Sequence, residues 1–186
     1  MSDLLRTFIA APIEATLALR GWVTRLQAFE GAVRCTNLDQ LHVTLKFLGA
    51  TPADRVPAIL ESLALCAESE RASPIRIQTL GTFPGPDQPR VLWAGLRPVE
   101  PLARLASALE RHLEVIGFPP ERRPFTPHLT LARLTGPPPG QLRTLIETSR
   151  DADFGEARLD RVVLFRSDLG PSGPTCVPLG SCPLAS

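Results

Sequence analysis

Residues 41–48 read Leu-His-Val-Thr-Leu-Lys-Phe-Leu, and this stretch decides the expected fold. Apolar and polar side chains alternate along it, as they do in a strand with one face in the core and the other in solvent. The apolar set is Val43, Leu45 and Phe47, and the polar set is His42, Thr44 and Lys46. The alternation predicts a half-buried strand with a polar working face, which Gly49 and Pro52 are expected to end.

The stretch has a second copy 86 residues later. Residues 127–134 read Pro-His-Leu-Thr-Leu-Ala-Arg-Leu, so that His128 and Thr130 match His42 and Thr44. Each copy runs from a strand through a proline-containing turn into a helix. An internal repeat of this kind predicts two similar lobes related by a pseudo-twofold axis. Such an axis would bring the two His-x-Thr pairs to face each other.

Hydrophobic periodicity places the other elements around the two copies. Strands are predicted at 4–11, 41–48, 74–83, 90–96, 128–133 and 156–166, with an edge strand at 174–179. Helices are predicted at 12–29, 56–67, 99–116 and 139–150. The strands alternate instead of running continuously apolar, which argues against a parallel sheet covered on both faces. We therefore expect one two-lobed α+β domain over 1–186, each lobe an antiparallel sheet backed by helices, with a central cleft.

Net charge and cysteine pattern exclude several classes of protein. The chain has 186 residues and a formal net charge of +1, so a polyanion must be bound locally and not by a global field. Its four cysteines include no C-x-x-C pair, and Cys66 lies on the apolar side of a predicted helix. The N-terminus lacks the apolar core of a signal peptide, and prolines interrupt the uncharged residues 169–186. We expect a reduced, cytoplasmic, monomeric protein with no membrane span and no obligate protein partner.

The repeated His-x-Thr pairs are the candidate catalytic residues. Residues i and i+2 of a strand point to the same side, about 6–7 Å apart, so each pair presents an imidazole and a hydroxyl together. One histidine can stay neutral as a base while the other stays protonated as an acid. A single His-x-Thr is usually only a half-exposed strand, but both His42 and His128 occupy this frame, and the chain has only three histidines. The third, His112, is expected to be a boundary residue on a helix.

Other uses of these histidines fit the sequence less well. His-x-Thr is not His-x-His, and no acidic residue lies within either motif, so no metal site is predicted. No G-x-S-x-G, P-loop or G-x-G-x-x-G occurs, and no cofactor is expected.

Two basic residues are candidates for holding a phosphate. Arg133 follows Thr130 by three positions, and its guanidinium suits bidentate binding. Strand parity puts it on the apolar side, so it reaches the cleft only if the strand ends or bulges there; otherwise it is a charge at the sheet rim. Lys46, the only lysine, is expected on the face of His42 and Thr44, where it is either a phosphate contact or a solvated strand residue.

Three aromatic residues are possible surfaces for base stacking: Phe83, Trp93 and Phe125. Core packing is the more usual function of such side chains, especially for Trp93 within Arg-Val-Leu-Trp-Ala-Gly-Leu.

Taken together, these motifs resemble the 2H phosphoesterase superfamily, and within it the RNA 2′,3′-cyclic phosphodiesterases, also called 2′-5′ RNA ligases. The similar stretches are residues 6–10, 41–49, 90–96 and 125–133, together with the closing Ser-x-Leu-x-x-x-Gly-Pro at 167–174. The resemblance implies a two-lobed fold and metal-independent opening of an RNA 2′,3′-cyclic phosphate to a 2′-phosphate. It also implies that His42, Thr44, His128 and Thr130 are catalytic and that Arg133 contacts the phosphate. One departure is Cys176, which stands where family members commonly carry a tyrosine.

Two other functions remain open at this point. An RNA 5′-hydroxyl can replace water in the attack, which would make 2′-5′ ligation the main activity. Alternatively, the cleft can bind an RNA end without catalysis.

Overall fold

The computed structural model describes residues 3–170 and 173–186. They form nine strands and four helices: β1 Leu4–Pro12, α1 Leu17–Gln27, β2 Val33–Cys35, β3 His42–Pro52, α2 Val56–Glu68, β4 Ser73–Phe83, β5 Val91–Arg97, α3 Glu100–Val115, β6 Leu129–Leu134, α4 Gly140–Thr148, β7 Asp153–Leu159, β8 Arg161–Gly170 and β9 Gly173–Pro183. Most strands and all four helices fall where the hydrophobic periodicity predicts them. β2 has only three residues, too few for a pattern of alternation to show.

The strands build two antiparallel sheets. The first sheet has the order β3-β1-β8-β9, and the second has the order β2-β6-β5-β4-β7. α2 and α3 pack against the first sheet and α1 against the second, while α4 adds Leu142, Leu145 and Ile146 to the core. The predicted α+β architecture, two antiparallel sheets with helices on their apolar faces, is confirmed. It brings β3 of one sheet close to β6 of the other, so the two copies of the repeat meet.

The lobes exchange helices. α1 follows β1 of the first sheet but packs on β2 and β7 of the second, and α3 follows β5 of the second sheet but packs on β3 of the first. Each lobe therefore buries the apolar face of a helix that follows a strand of the other lobe. Burial of this kind holds the two sheets in a fixed relation across the cleft.

A β-bulge occurs at the same place in both copies of the repeat. Thr44 pairs with Ala10 and Lys46 with Ile9, which leaves Leu45 as the extra residue of β3. Thr130 pairs with Trp93 and Ala132 with Leu92, which leaves Leu131 as the extra residue of β6. A bulge reverses the facing of the residues that follow it. The alternation that predicts these strands therefore holds only up to Leu45 and Leu131.

Three predicted element boundaries are wrong: the end of β1, the beginning of α1 and the end of β3. Pro12 pairs with His42 and thus belongs to β1, and the helix begins only after Thr16, whose side chain accepts a hydrogen bond from the backbone N–H of Leu19. β3 continues past Gly49 to Pro52, because pairing with β1 extends that far and Gly49 adopts a positive φ of 73° beside a second bulge. Glycine adopts this left-handed conformation without steric cost.

The single strand predicted at 156–166 is also wrong. β7 ends at Leu159 at the edge of the second sheet, and β8 begins at Arg161 and pairs with β1 in the interior of the first. The chain changes sheet at Asp160. No glycine or proline separates Leu159 from Arg161, so only the strand partners distinguish two strands from one.

The C-terminal edge strand is confirmed and is longer than predicted. β9 pairs along β8 at the edge of the first sheet, with Cys176 opposite Ser167. Residues 171 and 172 of the closing motif lie outside the described residues. Cys66 is buried, as expected from its place on α2. No helix in the described part of the chain is long and apolar enough to cross a bilayer.

Candidate active site

The two histidines are held in the same way in the two lobes. His42 begins β3, and His128 directly precedes β6. The Nδ1 atom of His42 lies 2.7 Å from the carbonyl oxygen of Gln40, and the Nδ1 atom of His128 lies 2.7 Å from that of Thr126. A carbonyl oxygen only accepts hydrogen bonds, so each Nδ1 carries a proton. Each Nε2 atom is therefore the one left to exchange a proton with a substrate.

Aromatic rings pack around each imidazole. The centroids of Phe8 and Phe165 lie 5.2 and 6.0 Å from that of His42. Phe83 meets His128 edge-on at 5.0 Å, and the Trp93 centroid lies 6.2 Å away. These contacts fix the orientation of both rings, and they keep water from much of their surface.

Burial lowers the pKa of His42. Loss of solvent lowers the pKa of this imidazole below its ordinary value; the hydrogen bond to Gln40 opposes the change, and positive charge on His128 adds to it. The two imidazoles are thus near enough for the charge of one to disfavour the charge of the other. This effect favours a neutral His42.

A cavity of about 840 Å³ lies between the two sheets. Its wall includes Thr44 and Phe47 of β3, Phe83 of β4, and His128. Residues 123–126, in the segment that leads to His128, form another part of the wall. The volume is large enough for a nucleotide-sized ligand. Of the four predicted His and Thr residues, Thr44 and His128 line the cavity, and strand alternation puts His42 on the same face as Thr44.

The two threonines occupy matching positions in the sheets. Thr44 pairs with Ala10, and Thr130 pairs with Trp93. Both are partly exposed, and each follows its histidine by two residues on the same face. The structure thus brings the four predicted His and Thr residues to the facing strands of the two lobes.

The bulge at Leu131 puts Arg133 on the face of Thr130. Arg133 pairs with Val91, which lines the cavity, while the preceding Ala132 is buried opposite Leu92. From its sequence, Arg133 was expected to reach the cleft only if the strand ends or bulges there, and the bulge meets this condition. Its side chain is exposed at the rim. Contact of Arg133 with a phosphate stays a prediction.

The expectation that Lys46 shares the face of His42 and Thr44 is wrong. The bulge at Leu45 pairs Lys46 with the core residue Ile9, and the lysine side chain is only 1% exposed. Its Nζ atom lies 2.5 Å from a carboxylate oxygen of Glu110 on α3 and donates to the carbonyl oxygen of Pro119 at 2.8 Å. The same carboxylate oxygen accepts a hydrogen bond from the backbone N–H of Glu121. Lys46 therefore anchors the segment that leads to His128.

Four charged residues of the cavity wall were not predicted from the sequence: Arg90, Glu110, Glu121 and Arg123. Arg90 and Arg123 have exposed side chains, and Glu110 lines the cavity beside its ion-pair partner Lys46. Arg123 precedes His128 by five residues and Arg90 opens the Arg-Val-Leu-Trp motif, so their positions beside motifs were available signals. Nothing local marks Glu110, because its partner is 64 residues away.

The remaining candidates are placed as follows. Phe125 lines the cavity and is partly buried, and Phe83 and Trp93 lie beside His128. His112 is exposed in the last turn of α3, which agrees with a boundary residue. Within residues 3–170 and 173–186, no three His, Cys, Asp or Glu side chains gather as a metal site.

Solved structures define the class of protein. A phosphoesterase crystal structure matches with a TM-score of 0.72 at 26% identity, covering 99% of this chain and all of that one. Escherichia coli LigT complexed with 3′-AMP matches with a TM-score of 0.73 at 25% identity and 99% coverage of this chain. A Thermus thermophilus structure matches with a TM-score of 0.83 at 32% identity, covering 96% and 97% of the two chains. The fold is that of the two-lobed α+β phosphoesterases.

Sequence comparison gives the family. The chain belongs to the 2′-5′ RNA ligase superfamily, whose profile matches residues 15–171. The RNA 2′,3′-cyclic phosphodiesterase of Thermus thermophilus is 33% identical over an alignment of 179 residues that covers 91% of this chain and 85% of that protein. The RNA 2′,3′-cyclic phosphodiesterase of Methanothermobacter thermautotrophicus is 31% identical over an alignment of 175 residues that covers 91% of this chain and 94% of that protein. The protein is an enzyme of this type.

Proposed function

We propose that this enzyme hydrolyses a terminal RNA 2′,3′-cyclic phosphate to a 2′-phosphate. The observation that carries the proposal is the matched pair of imidazoles, each fixed through Nδ1 by the carbonyl oxygen two residues before it. Their Nε2 atoms are the free proton-exchanging positions on opposite sides of one cleft. Membership in a family with curated RNA 2′,3′-cyclic phosphodiesterases supports the choice of substrate.

The lowered pKa of His42 suggests which histidine is the base. Neutral His42 takes a proton from water through Nε2, and the water oxygen attacks phosphorus. The bond from phosphorus to the 3′ oxygen breaks, and protonated His128 gives that oxygen a proton from its own Nε2. A 2′-phosphate and a free 3′-hydroxyl result. Solvent then returns the two histidines to their starting protonation states.

Hydroxyl groups and a guanidinium complete the proposed site. Thr44 and Thr130 donate hydrogen bonds to the two non-bridging phosphate oxygens, where negative charge grows during attack. Arg133 at the rim holds the same anion, in the role that its position after the bulge allows. Lys46 acts indirectly, because Glu110 and Pro119 already engage its ammonium group.

The proposed reaction needs no metal ion. Proton transfer by two imidazoles and charge stabilisation by Thr44, Thr130 and Arg133 supply the required chemistry from side chains alone. The donor set supports this, since no acidic side chain accompanies either histidine in its motif. We also propose that residues 1–186 act as one two-lobed domain, because each lobe supplies half of the site.

Product analysis on a short RNA ending in a 2′,3′-cyclic phosphate tests the proposal. A 2′-monoester as the main product, formed in the presence of EDTA, would support it. With a second RNA carrying a 5′-hydroxyl, joined RNA as the main product would instead make ligation the principal activity. Substrate recovered unchanged, but bound, would leave only an RNA-end binding module and overturn the hydrolytic function.

A further inference from the structure

The two lobes differ at the position that pairs with the threonine on the cleft face. Thr44 pairs with Ala10 in the first sheet, whereas Thr130 pairs with Trp93 in the second. The next strand shows a complementary difference: Ala10 pairs with Val163, and Trp93 pairs with Gly81. The imidazoles, hydroxyls and bulges match between the lobes, so the large indole is an asymmetric addition to a symmetric site.

Glycine lets this indole lie flat on the sheet. A Cβ atom at Gly81 would overlap the Cζ2, Cη2 and Cε2 atoms of Trp93, and one at Gly95 would lie 3.6 Å from its Cζ3 atom. One face of the ring therefore rests on backbone with no side chain beneath it. The residue is still partly exposed, and the ring of Phe83 packs beside the indole with a centroid distance of 5.2 Å.

The position of Trp93 connects it with the catalytic cleft. Its centroid is 6.2 Å from that of His128 and 5.2 Å from that of Phe83, both of which line the cleft cavity, while Trp93 itself lines a separate cavity of about 440 Å³. The indole N–H finds no acceptor among the described residues. A phenylalanine would pack here without burying an unpaired donor, so core packing alone is a poor account of a tryptophan.

We propose that Trp93 stacks on the nucleobase of the nucleotide that carries the cyclic phosphate. This rests on the proposed function, because it assumes that the phosphate lies between His42 and His128. The indole then lies within one nucleotide's reach of that phosphate, on the side of His128. Phe83 is a poorer platform, since its ring already meets His128 edge-on. Stacking recognises any base by its flat face, so it favours RNA ends without selecting a sequence.

Substrates with and without a base separate stacking from a merely structural effect. The probes are a nucleoside 2′,3′-cyclic phosphate and ribose 2′,3′-cyclic phosphate, which lacks the base. We expect Trp93→Leu to lower kcat/KM about tenfold to a hundredfold on the nucleotide and to change it little on the ribose compound. Trp93→Phe should keep most of the activity, while Gly81→Ala, which displaces the ring, should reproduce the selective loss. Equal losses on both substrates would mean that Trp93 only positions His128, and would overturn the proposal.

Fluorescence gives a readout that does not depend on turnover. The chain has two tryptophans, so Trp22→Phe leaves Trp93 as the only indole, and Trp22 lies in the core. A nucleoside 2′-monophosphate should quench this fluorescence at saturation, and ribose 2-phosphate should not. Quenching without any hydrolysis would support the base site and reject the proposed reaction. Hydrolysis without selective quenching would support the proposed reaction and reject the base site.

Discussion

At the scale of single residues, one backbone carbonyl decides what each imidazole can do. The carbonyl oxygens of Gln40 and Thr126 accept hydrogen bonds from Nδ1 of His42 and His128. The neutral form of each ring is therefore the Nδ1–H tautomer, and Nε2 is the atom that exchanges a proton. The third histidine, His112, is exposed on α3 and lacks such a contact among the hydrogen bonds of the described residues.

Replacing either cleft histidine with asparagine should abolish most turnover. Asparagine retains an N–H near the position of Nδ1 but cannot exchange a proton at the position of Nε2. We expect kcat to fall about 10²–10⁴-fold for His42→Asn and for His128→Asn. His112→Ala is the matched control and should keep wild-type activity. Either asparagine variant retaining near wild-type kcat, measured by initial rates on the cyclic substrate, would reject the two-histidine mechanism.

The pH profile should report the lowered pKa of His42. A base must be neutral, and burial holds the pKa of this imidazole below about 6.5, so its neutral form persists to lower pH. The acid limb of kcat/KM should therefore lie below pH 6.5. In His128→Asn the neighbouring charge is gone, and the pKa of His42 should rise when its ring protons are titrated by NMR. A fall of that pKa in the variant would contradict the proposed coupling.

At the scale of elements, the repeated bulge decides which residues face the cleft. Leu45 and Leu131 are the extra residues, so the positions after them exchange faces. Lys46 turns inward, whereas Arg133 turns to the cleft. A strand pattern predicts facing only while pairing is regular, and pairing is a property of two strands.

The buried Lys46–Glu110 pair should respond unequally to loss of each partner. Glu110→Gln leaves a 1% exposed ammonium without its counter-charge, whereas Lys46→Met leaves a carboxylate that is 24% exposed and can bind water. We expect Glu110→Gln to lower the free energy of unfolding by about 3–5 kcal/mol and Lys46→Met to lower it by less. Urea denaturation measures both. The double variant Lys46→Met/Glu110→Leu, with two apolar residues, should recover much of the loss. A larger loss for Lys46→Met than for Glu110→Gln would refute this ordering.

At the scale of the whole molecule, exchanged helices and facing sheets make one site from two lobes. α1 and α3 each cross to the sheet of the other lobe, so the two histidine strands cannot separate without exposing apolar surface. The cleft is thus preorganised, and the proposed chemistry uses side chains from both copies of the repeat.

Exhaustive chelation should leave activity unchanged. The proposed reaction draws its acid, its base and its anion contacts from side chains, and no group of metal-binding side chains forms in residues 3–170 and 173–186. Initial rates after dialysis against EDTA should equal those of untreated enzyme, and added Mg²⁺ or Zn²⁺ should not raise them. Loss of activity that a divalent ion restores would refute the metal-free mechanism.

The sequence by itself determined the features that depend on neighbours along the chain. Alternation in 41–48, its copy at 127–134 and the helical periodicities predicted the fold class and most elements, because side-chain facing in a regular strand or helix follows local geometry. The same repeat predicted that His42, Thr44, His128 and Thr130 share one face of their strands. Their placement on or next to the two strands that meet, β3 and β6, agrees with that prediction, and their catalytic roles remain proposed.

Only the tertiary structure decided what depends on contacts between distant residues. The bulges, the burial of Lys46 against Glu110, the change of sheet at Asp160 and the indole on Gly81 each need a partner strand or helix far away in sequence. Periodicity carries no information about such partners, since pairing and packing are settled by the whole chain as it folds. For this reason the sequence could identify the histidines and name Trp93 among three possible stacking surfaces, but it could neither orient Lys46 and Arg133 nor place Trp93 beside His128.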